Sequence, residues 1–568
     1  MLYQRLRKLR GSSTIFAMLF VLATLSGQVE AAPGDVHHNQ EQREAARRAE
    51  EQNRQRMQEE MVRSEKKGSG LEKITLPEEE TSFFIREIQL QGDGAEKFAW
   101  AQTYLRQYEN QNIGMQGISL LAQELNEAVL EKGYVTTRIY IQEQDVSSGT
   151  LVFTIMAGRL GEIRFAEENT SGTWKNAFPM GSGSILNIRD IEQGLEQMRK
   201  VPSQDVNIDI QPTKEPGKSD LVLTVTRKKP WRLISSFDDS GSEGTGKNQW
   251  TNTIAWDNIS GLNDMINVSY NEDAMRNDKD KGTRSKSLQY SIPWGKASFS
   301  FNYSKNSYRQ NVGIALLPAE YSGESEYGQL TTSYLLHRNQ KSKTQLEFDI
   351  IKKTRKTYIE GSEIEVQRQN TTALRLGLTR RQYLGNIVVD GAVRYQRGTR
   401  ILGAAVGPTD DITGSPSTRY HMFSANLNVD IPIHHNSQSL GLYSFSARGQ
   451  YTHDPIYGSE YFGIGGRYTV RGFDGEQTLS AEKGLLIRQE LAVPIFKKHQ
   501  LYAGLDYGRV SGSATEYLLG KELAGSALGL RGGISHLQYD VFVGWPVYKP
   551  KGFDTPKQTF GFQVTTQF

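Results

Sequence analysis

A chain of 568 residues with 67 Lys and Arg against 64 Asp and Glu has a formal net charge of +3, and it contains no cysteine. That balance gives no reason to expect nucleic-acid binding, and the lack of thiols excludes a disulfide scaffold, thiolate metal sites and cysteine catalysis. Mean hydropathy is −0.55, which argues against a helical membrane protein but not against a membrane barrel, whose apolar residues recur only at every second position.

The N-terminus opens with a basic head, Arg5, Arg7, Lys8 and Arg10, then the apolar run IFAMLFVLATL from Ile15 to Leu25. Small residues follow up to Val29-Glu30-Ala31. This predicts a secretory signal peptide over residues 1–31, with an apolar core too short to span a bilayer; an uncleaved anchor is the alternative. Residues 32–67 are almost wholly polar and rich in Glu, Gln, Arg and Ala. Such residues favour a helix, yet no apolar stripe marks a core-facing side. A helix here needs solvent or a wet, charged cavity, and a disordered tail is the other reading. Residues 68–80, with Gly, Ser and Pro, read as a flexible link.

From residue 81 to 158 the pattern is mixed. FFIREIQL alternates as a strand, EKFAWAQTYLRQY and ISLLAQELNEAVLEKG carry helical spacing, and VTTRIYIQ and TLVFTIMAG alternate again. Residues 159–229 repeat the theme with GEIRFAE, the helical NIRDIEQGLEQMRK, then VNIDIQP and SDLVLTVTRK. Two tandem α+β modules, each offering a sheet edge, suggest a peptide-binding arm.

Helical spacing disappears beyond Pro230. Residues 230–568 predict sixteen strands, starting near Trp231, Asn248, Asp264, Lys286, Lys296, Gly328, Lys343, Thr371, Ile387, Tyr420, Gln438, Gly484, His499, Ser526, Leu537 and Lys557. In KQTFGFQVTTQF, Phe560, Phe562, Val564 and Phe568 share one face, opposite Gly561, Gln563 and Gln567. A soluble sandwich would alternate too. The connections separate the two readings: those after even-numbered strands are mostly short (ISGLND, PWGK, LGN, HHNSQ, FKKH), whereas several after odd-numbered strands are long. Even strand number, short turns at one end and long loops at the other describe an outer-membrane β-barrel.

Motifs for chemistry are weak. GSEGTGKN, Gly241 to Asn248, matches a phosphate-loop pattern, but Asn248 replaces the metal-binding hydroxyl residue and a strand follows where a helix is needed. The pairs His37/His38 and His434/His435 lack metal-site spacing. Neither G-x-S-x-G nor H-E-x-x-H occurs, so no catalytic residue, metal or cofactor is expected.

GIGGRYTVRGFDGE, residues 463–476, packs glycines and charges into a long connection between the eleventh and twelfth strands. In LYAGLDYGRV, Leu501, Ala503, Leu505 and Tyr507 share one face, which turns Asp506 inward with Gly504 and Gly508 beside it. A carboxylate between glycines invites a guanidinium from a loop folded into the lumen, because arginine binds it through two parallel hydrogen bonds. At ~4 Å and an effective dielectric near ~20 the gross attraction is roughly 4 kcal/mol, less desolvation. Spacing alone leaves open an exposed Arg471 and an unrelated Asp506.

These residues resemble a known family. Val470-Arg471-Gly472-Phe473 followed by GLDYG, Gly504 to Gly508, resembles the loop and wall motifs of the outer-membrane superfamily that joins POTRA modules to a sixteen-stranded barrel. The nearest likeness is to two-partner secretion transporters of the haemolysin secretion/activation type. Residues 133–163 resemble the end of their first POTRA domain, 186–212 their second, and 238–271 their first barrel strands. Phe473 stands where a tyrosine is frequent, and Ala157 where glutamate often precedes Gly-Arg.

The resemblance implies POTRA domains over 81–158 and 159–229, a latch between Arg471 and Asp506, and a plug helix through the lumen over 32–67. It implies Phe568 as a C-terminal signal for the barrel-assembly machinery. It also implies export of one large unfolded exoprotein (a haemolysin, adhesin or contact-dependent inhibition toxin) to the cell surface without nucleotide, by a monomer in outer-membrane lipid. A barrel-assembly factor and a diffusion porin are the rival classes.

Overall fold

A computed structural model describes residue 43, residues 46–51, residue 71 and residues 73–568, apart from 276–279, 315–316, 407–409, 411–413 and 437. The expected signal peptide, most of the 32–67 segment and part of the 68–80 link lie outside the described residues.

The first module runs β1 (Ser82–Ile85), β2 (Glu87–Gln91), α1 (Ala99–Leu105), β3 (Gln111–Gly114), α2 (Met115–Glu131), β4 (Arg138–Tyr140) and β5 (Thr150–Met156). The single strand expected over FFIREIQL is two. The chain breaks at Arg86, whose N–H donates to Gly149 O at 2.7 Å, so β1 pairs with β3 while β2 runs parallel to β5. Helix α2 buries Ile118, Leu121, Leu125, Ala128 and Val129 on one stripe. The Glu79 carboxylate accepts the N–H groups of Gln116 and Gly117 at its start, at 2.9 and 2.8 Å.

The second module is β6 (Arg159–Phe165), α3 (Ile188–Arg199), β7 (Gln204–Pro212) and β8 (Lys218–Arg227), in sheet order β6-β8-β7. Asn187 caps α3, its side chain accepting from Arg189 N at 2.8 Å. One face of α3 is buried yet polar, with Glu192, Gln193, Glu196 and Gln197 all inside. A buried polar face demands a polar partner.

Sixteen antiparallel strands close into a barrel. They are β9 (Trp231–Asp238), β10 (Gln249–Asp257), β11 (Met265–Asp273), β12 (Gly282–Trp294), β13 (Ala297–Ile314), β14 (Leu317–Arg338), β15 (Ser342–Ile359), β16 (Gln369–Leu384), β17 (Ile387–Thr399), β18 (His421–His435), β19 (Gln438–Tyr451), β20 (Lys483–Phe496), β21 (His499–Ser511), β22 (Glu522–Ile534), β23 (Leu537–Tyr548) and β24 (Thr559–Gln567). Fifteen begin within about four residues of the expected starts. The exception is β14, which begins well before Gly328 because β13, β14 and β15 stand taller than a bilayer crossing needs. The closing pair β24–β9 is short, from Gln563↔Asp238 to Gln567↔Ile234. Phe568 extends it by donating its N–H to Leu233 O at 2.9 Å, with its own ring exposed.

Candidate functional site

The connection from Thr452 to Glu482 turns back into the barrel instead of projecting from it. A short hairpin pairs Phe462–Ile464 with Leu479–Ala481, and an apolar knot holds it to the wall. Phe462, Ile464, Val470, Phe473 and Leu479 pack with Leu486, Val510, Leu523 and Phe553. The Phe473 and Phe553 rings meet edge to face, with centroids 5.7 Å apart. Gly472 has φ +103°, and a Cβ there would lie 2.4 Å from Trp545 O, so only glycine carries the chain past the wall at that point.

That turn delivers Arg471 to Asp506. Both are buried, 5 % and 1 % exposed. Arg471 Nε and Nη2 donate to the two carboxylate oxygens at 2.8 and 2.9 Å, and the Arg471 backbone N–H donates to Asp506 Oδ2 at 2.9 Å. Gly504 makes the room: a Cβ on it would fall 2.2 Å from Arg471 Nη2. Gly508 similarly clears Ile464 and Val470. Thus Val470, Arg471, Gly472, Phe473, Gly504, Asp506 and Gly508 come together.

The pair is the centre of a wider network. Arg471 Nη1 also donates to Glu490, whose other oxygen accepts from Arg531 Nη1 at 2.8 Å. Arg488 lies 3.8 Å from Asp506 and reaches Glu50 at 3.1 Å. Residues 46–51 are helical, and Arg48 stacks over the Tyr327 ring at 4.8 Å. Arg43 donates to Gly475 O at 2.7 Å. A polar N-terminal helix therefore lies in the lumen against both the wall and the loop. Arg467 donates to Asp239 at 2.7 Å, and Asp239 accepts from Phe562 N at 2.9 Å, which ties the same loop to the closing seam.

Sequence reasoning did not single out Glu490, Arg488, Arg531, Arg467 or Glu50. Alternation in LIRQELAV puts Arg488 and Glu490 on the Asp506 side of the wall, a signal that was available. Gly525 was not available in that way, because its need for space comes from a loop remote in sequence: a Cβ there would lie 1.8 Å from Arg471 O.

The haemolysin secretion/activation protein family ShlB/FhaC/HecB matches residues 217–532, and POTRA families match 83–158 (ShlB-type) and 159–212. The chain belongs to the haemolysin secretion/activation family. It is 39% identical to the outer membrane transporter CdiB-2 of Burkholderia pseudomallei, over 83% of this chain and 82% of that one. It is 27% identical to the hemolysin transporter protein ShlB of Serratia marcescens, over 67% of each. The solved structure of CdiB from Acinetobacter baumannii superposes with a TM-score of 0.83 at 26% identity, covering 95% of this chain and 100% of that one.

As in its family, the barrel sits in the outer membrane with its POTRA modules in the periplasm, so the short turns are periplasmic and the long loops external. The second POTRA module docks on those turns. Gln197 donates to Gly295 O at 3.2 Å, Asn176 to Pro293 O at 3.0 Å, and the Ser203 N–H to Asp257 at 2.9 Å. Buried Glu196 accepts from Arg338 at 2.7 Å and from Lys343. This answers the polar face of α3. Burial raises the Glu196 carboxyl, but Lys343 and Arg338 outweigh it and hold its pKa down at about 2. A lumen cavity of about 1160 Å³ begins at this junction, beside Arg199, Gln204 and Asp205. It runs between a Ser- and Asn-rich wall (Ser287, Ser300, Asn302) and a charged one (Arg375, Arg381, Arg394).

Proposed function

We propose that this transporter carries one large, unfolded partner protein from the periplasm to the cell surface by two-partner secretion, with no nucleotide hydrolysed. The observation that carries the reading is an open strand edge beside the mouth of the lumen cavity. Edges of the first POTRA sheet are occupied by side chains. Gln102 accepts from Leu90 N and donates to Ile88 O, both at 2.7 Å, and Asn126 does the same for Ile139 at 2.9 and 2.6 Å.

Strand β7 differs. Val206 O accepts from Arg199 Nε at 2.9 Å, on the side away from β8. By alternation Ile208 and Ile210 turn their N–H and C=O groups the same way, and among the described residues these have no partner. An extended segment of the partner adds there as a strand, two to six residues from the Gln204 that lines the cavity. The lumen helix then shifts, the Arg471–Asp506 latch loosens, and folding outside at roughly 5–15 kcal/mol per domain supplies direction.

The test is Ile210→Pro, which removes the outward donor without touching the β8 ladder. Secretion of the partner falls at least tenfold while the barrel still resists unfolding in detergent; normal secretion would rule β7 out as the docking edge. The transporter is taken to act as a monomer, with Phe568 as the mark read by the barrel-assembly machinery. The exposed Phe568 ring at the strand end supports that reading.

A further inference from the structure

On the outer face of the barrel the lipid-facing rows change character abruptly toward the external end. On β15 the row ends at Ile350 and the next outward residue is Lys352; on β17 Tyr395 is followed by Arg397; on β18 Phe423 is followed by His421. Lys286 and Lys305 take the same place on β12 and β13, opposite each other in register. At the periplasmic end those outward rows finish on Trp294, Ala297, Thr344, Ile387 and His435, and Arg380 of β16 faces out opposite Thr344. The outer end of this sector gathers cations above its apolar rows, beside Glu324 and Glu326 of β14.

Not every cation in the rim is committed. Lys305 lies 3.3 Å from both Glu324 and Glu326, and His421 meets the Tyr395 hydroxyl at 2.6 Å. Arg397 is exposed, and among the described residues it has no ionic partner. Lys352 stands two strands away and two residues nearer the outside, about 12 Å at the usual spacings, with Nζ donating to Leu402 O at 2.9 Å and to Thr372 Oγ1 at 3.3 Å. The loop carrying that carbonyl leaves Ile401, Leu402 and Val406 exposed, at 45, 64 and 56 %. Two long cations therefore flank β16 just above an apolar band, beside an apolar loop.

The geometry points to a binding site for a phosphate-bearing lipid headgroup of the outer leaflet, held by Lys352 and Arg397. Apolar Ile350, Leu374 and Tyr395 face its acyl chains, and the Ile401–Val406 loop covers it from outside. Cations at the height of the headgroups attract anionic lipid, each contributing a several-fold gain. The inference rests on the outer-membrane orientation and not on export.

The experiment uses the full-length protein in zwitterionic phosphatidylcholine bilayers titrated with lipid A, read as lipid retained after detergent extraction. Wild type retains lipid A. Lys352→Gln/Arg397→Gln loses retention about thirtyfold, Arg397→Gln alone loses part of it with the Leu402 contact intact, and Arg397→Lys keeps it. Enzymatically dephosphorylated lipid A is not retained. Equal retention by the double variant, or of the dephosphorylated lipid, overturns the site. Secretion measured in parallel separates the two readings: a variant that exports normally yet loses lipid A leaves export standing, and wild type that retains lipid A without exporting sinks export alone.

Discussion

Arg471 reaches Asp506 with three donors at once, two from the guanidinium and one from its own backbone N–H. The loop's position and its side-chain charge are therefore one constraint. Removing the guanidinium leaves Asp506 buried with the backbone N–H of residue 471 and one more distant cation, Arg488 at 3.8 Å, a loss of about 3–5 kcal/mol for a broken buried pair. Arg471→Ala is expected to abolish secretion and expose the 463–476 segment to protease on intact cells. Arg471→Lys is expected to fare little better, since one ammonium cannot span Asp506 and Glu490. Secretion at wild-type level by Arg471→Lys would show that charge alone suffices.

The charge swap Arg471→Asp/Asp506→Arg tests whether the pair is isolated. It is not: the new arginine would face Arg488, and the new aspartate would face Glu490. Secretion is expected to recover only partly over the single Arg471→Asp variant, and Glu490→Gln added to the swap should raise it further. Full recovery by the swap alone would mean that the surrounding charges are screened by lumen water.

How much of this was legible in sequence follows from where the solvent changes. Strands that cross lipid alternate because one face meets hydrocarbon, so Ile387, His499 and Leu537 mark strand starts that the periodicity already located. The external half of β14, AEYSGESEY from Ala319, faces water on its outer side and carries no such alternation, so its strand was invisible until Gly328. The Asp506 face was readable from LYAGLDYGRV; its meeting with Arg471 needed the family resemblance, since nothing local reports that a loop folds inward. The docking face of α3 was misleading in a different way. Glu192 and Glu196 look like solvated helix residues; Arg189 pairs with Glu192 on the helix itself, but the cations that answer Glu196, Arg338 and Lys343, lie over a hundred residues on.

The lumen helix makes a separate prediction. Glu50 is the acid that Arg488 reaches at 3.1 Å, in a wall region that also holds Arg448. Glu50→Lys places a third cation there and should expel the helix, and deletion of residues 35–67 should do so completely. Planar-bilayer conductance is expected to rise in both, more in the deletion. Unchanged conductance in the deletion would mean that the helix does not occlude the pore.

The junction between the second POTRA module and the barrel should be sensitive to acid. Glu196 titrates near 4.5 when undocked and at about 2 when held by Lys343 and Arg338. The separated form therefore binds the proton more readily, so docking is at full strength above about pH 4.5 and weakens as pH falls toward 2. The difference amounts to about 3 kcal/mol. Spin labels on the module and on the 339–341 turn should report a distance that broadens across that window. Lys343→Gln raises the docked value, so its window still opens near pH 4.5 but closes at a higher pH, with a smaller total change. A distance distribution unchanged down to pH 2 in both proteins would assign the docking to the neutral contacts of Asn176 and Gln197 rather than to the buried carboxylate.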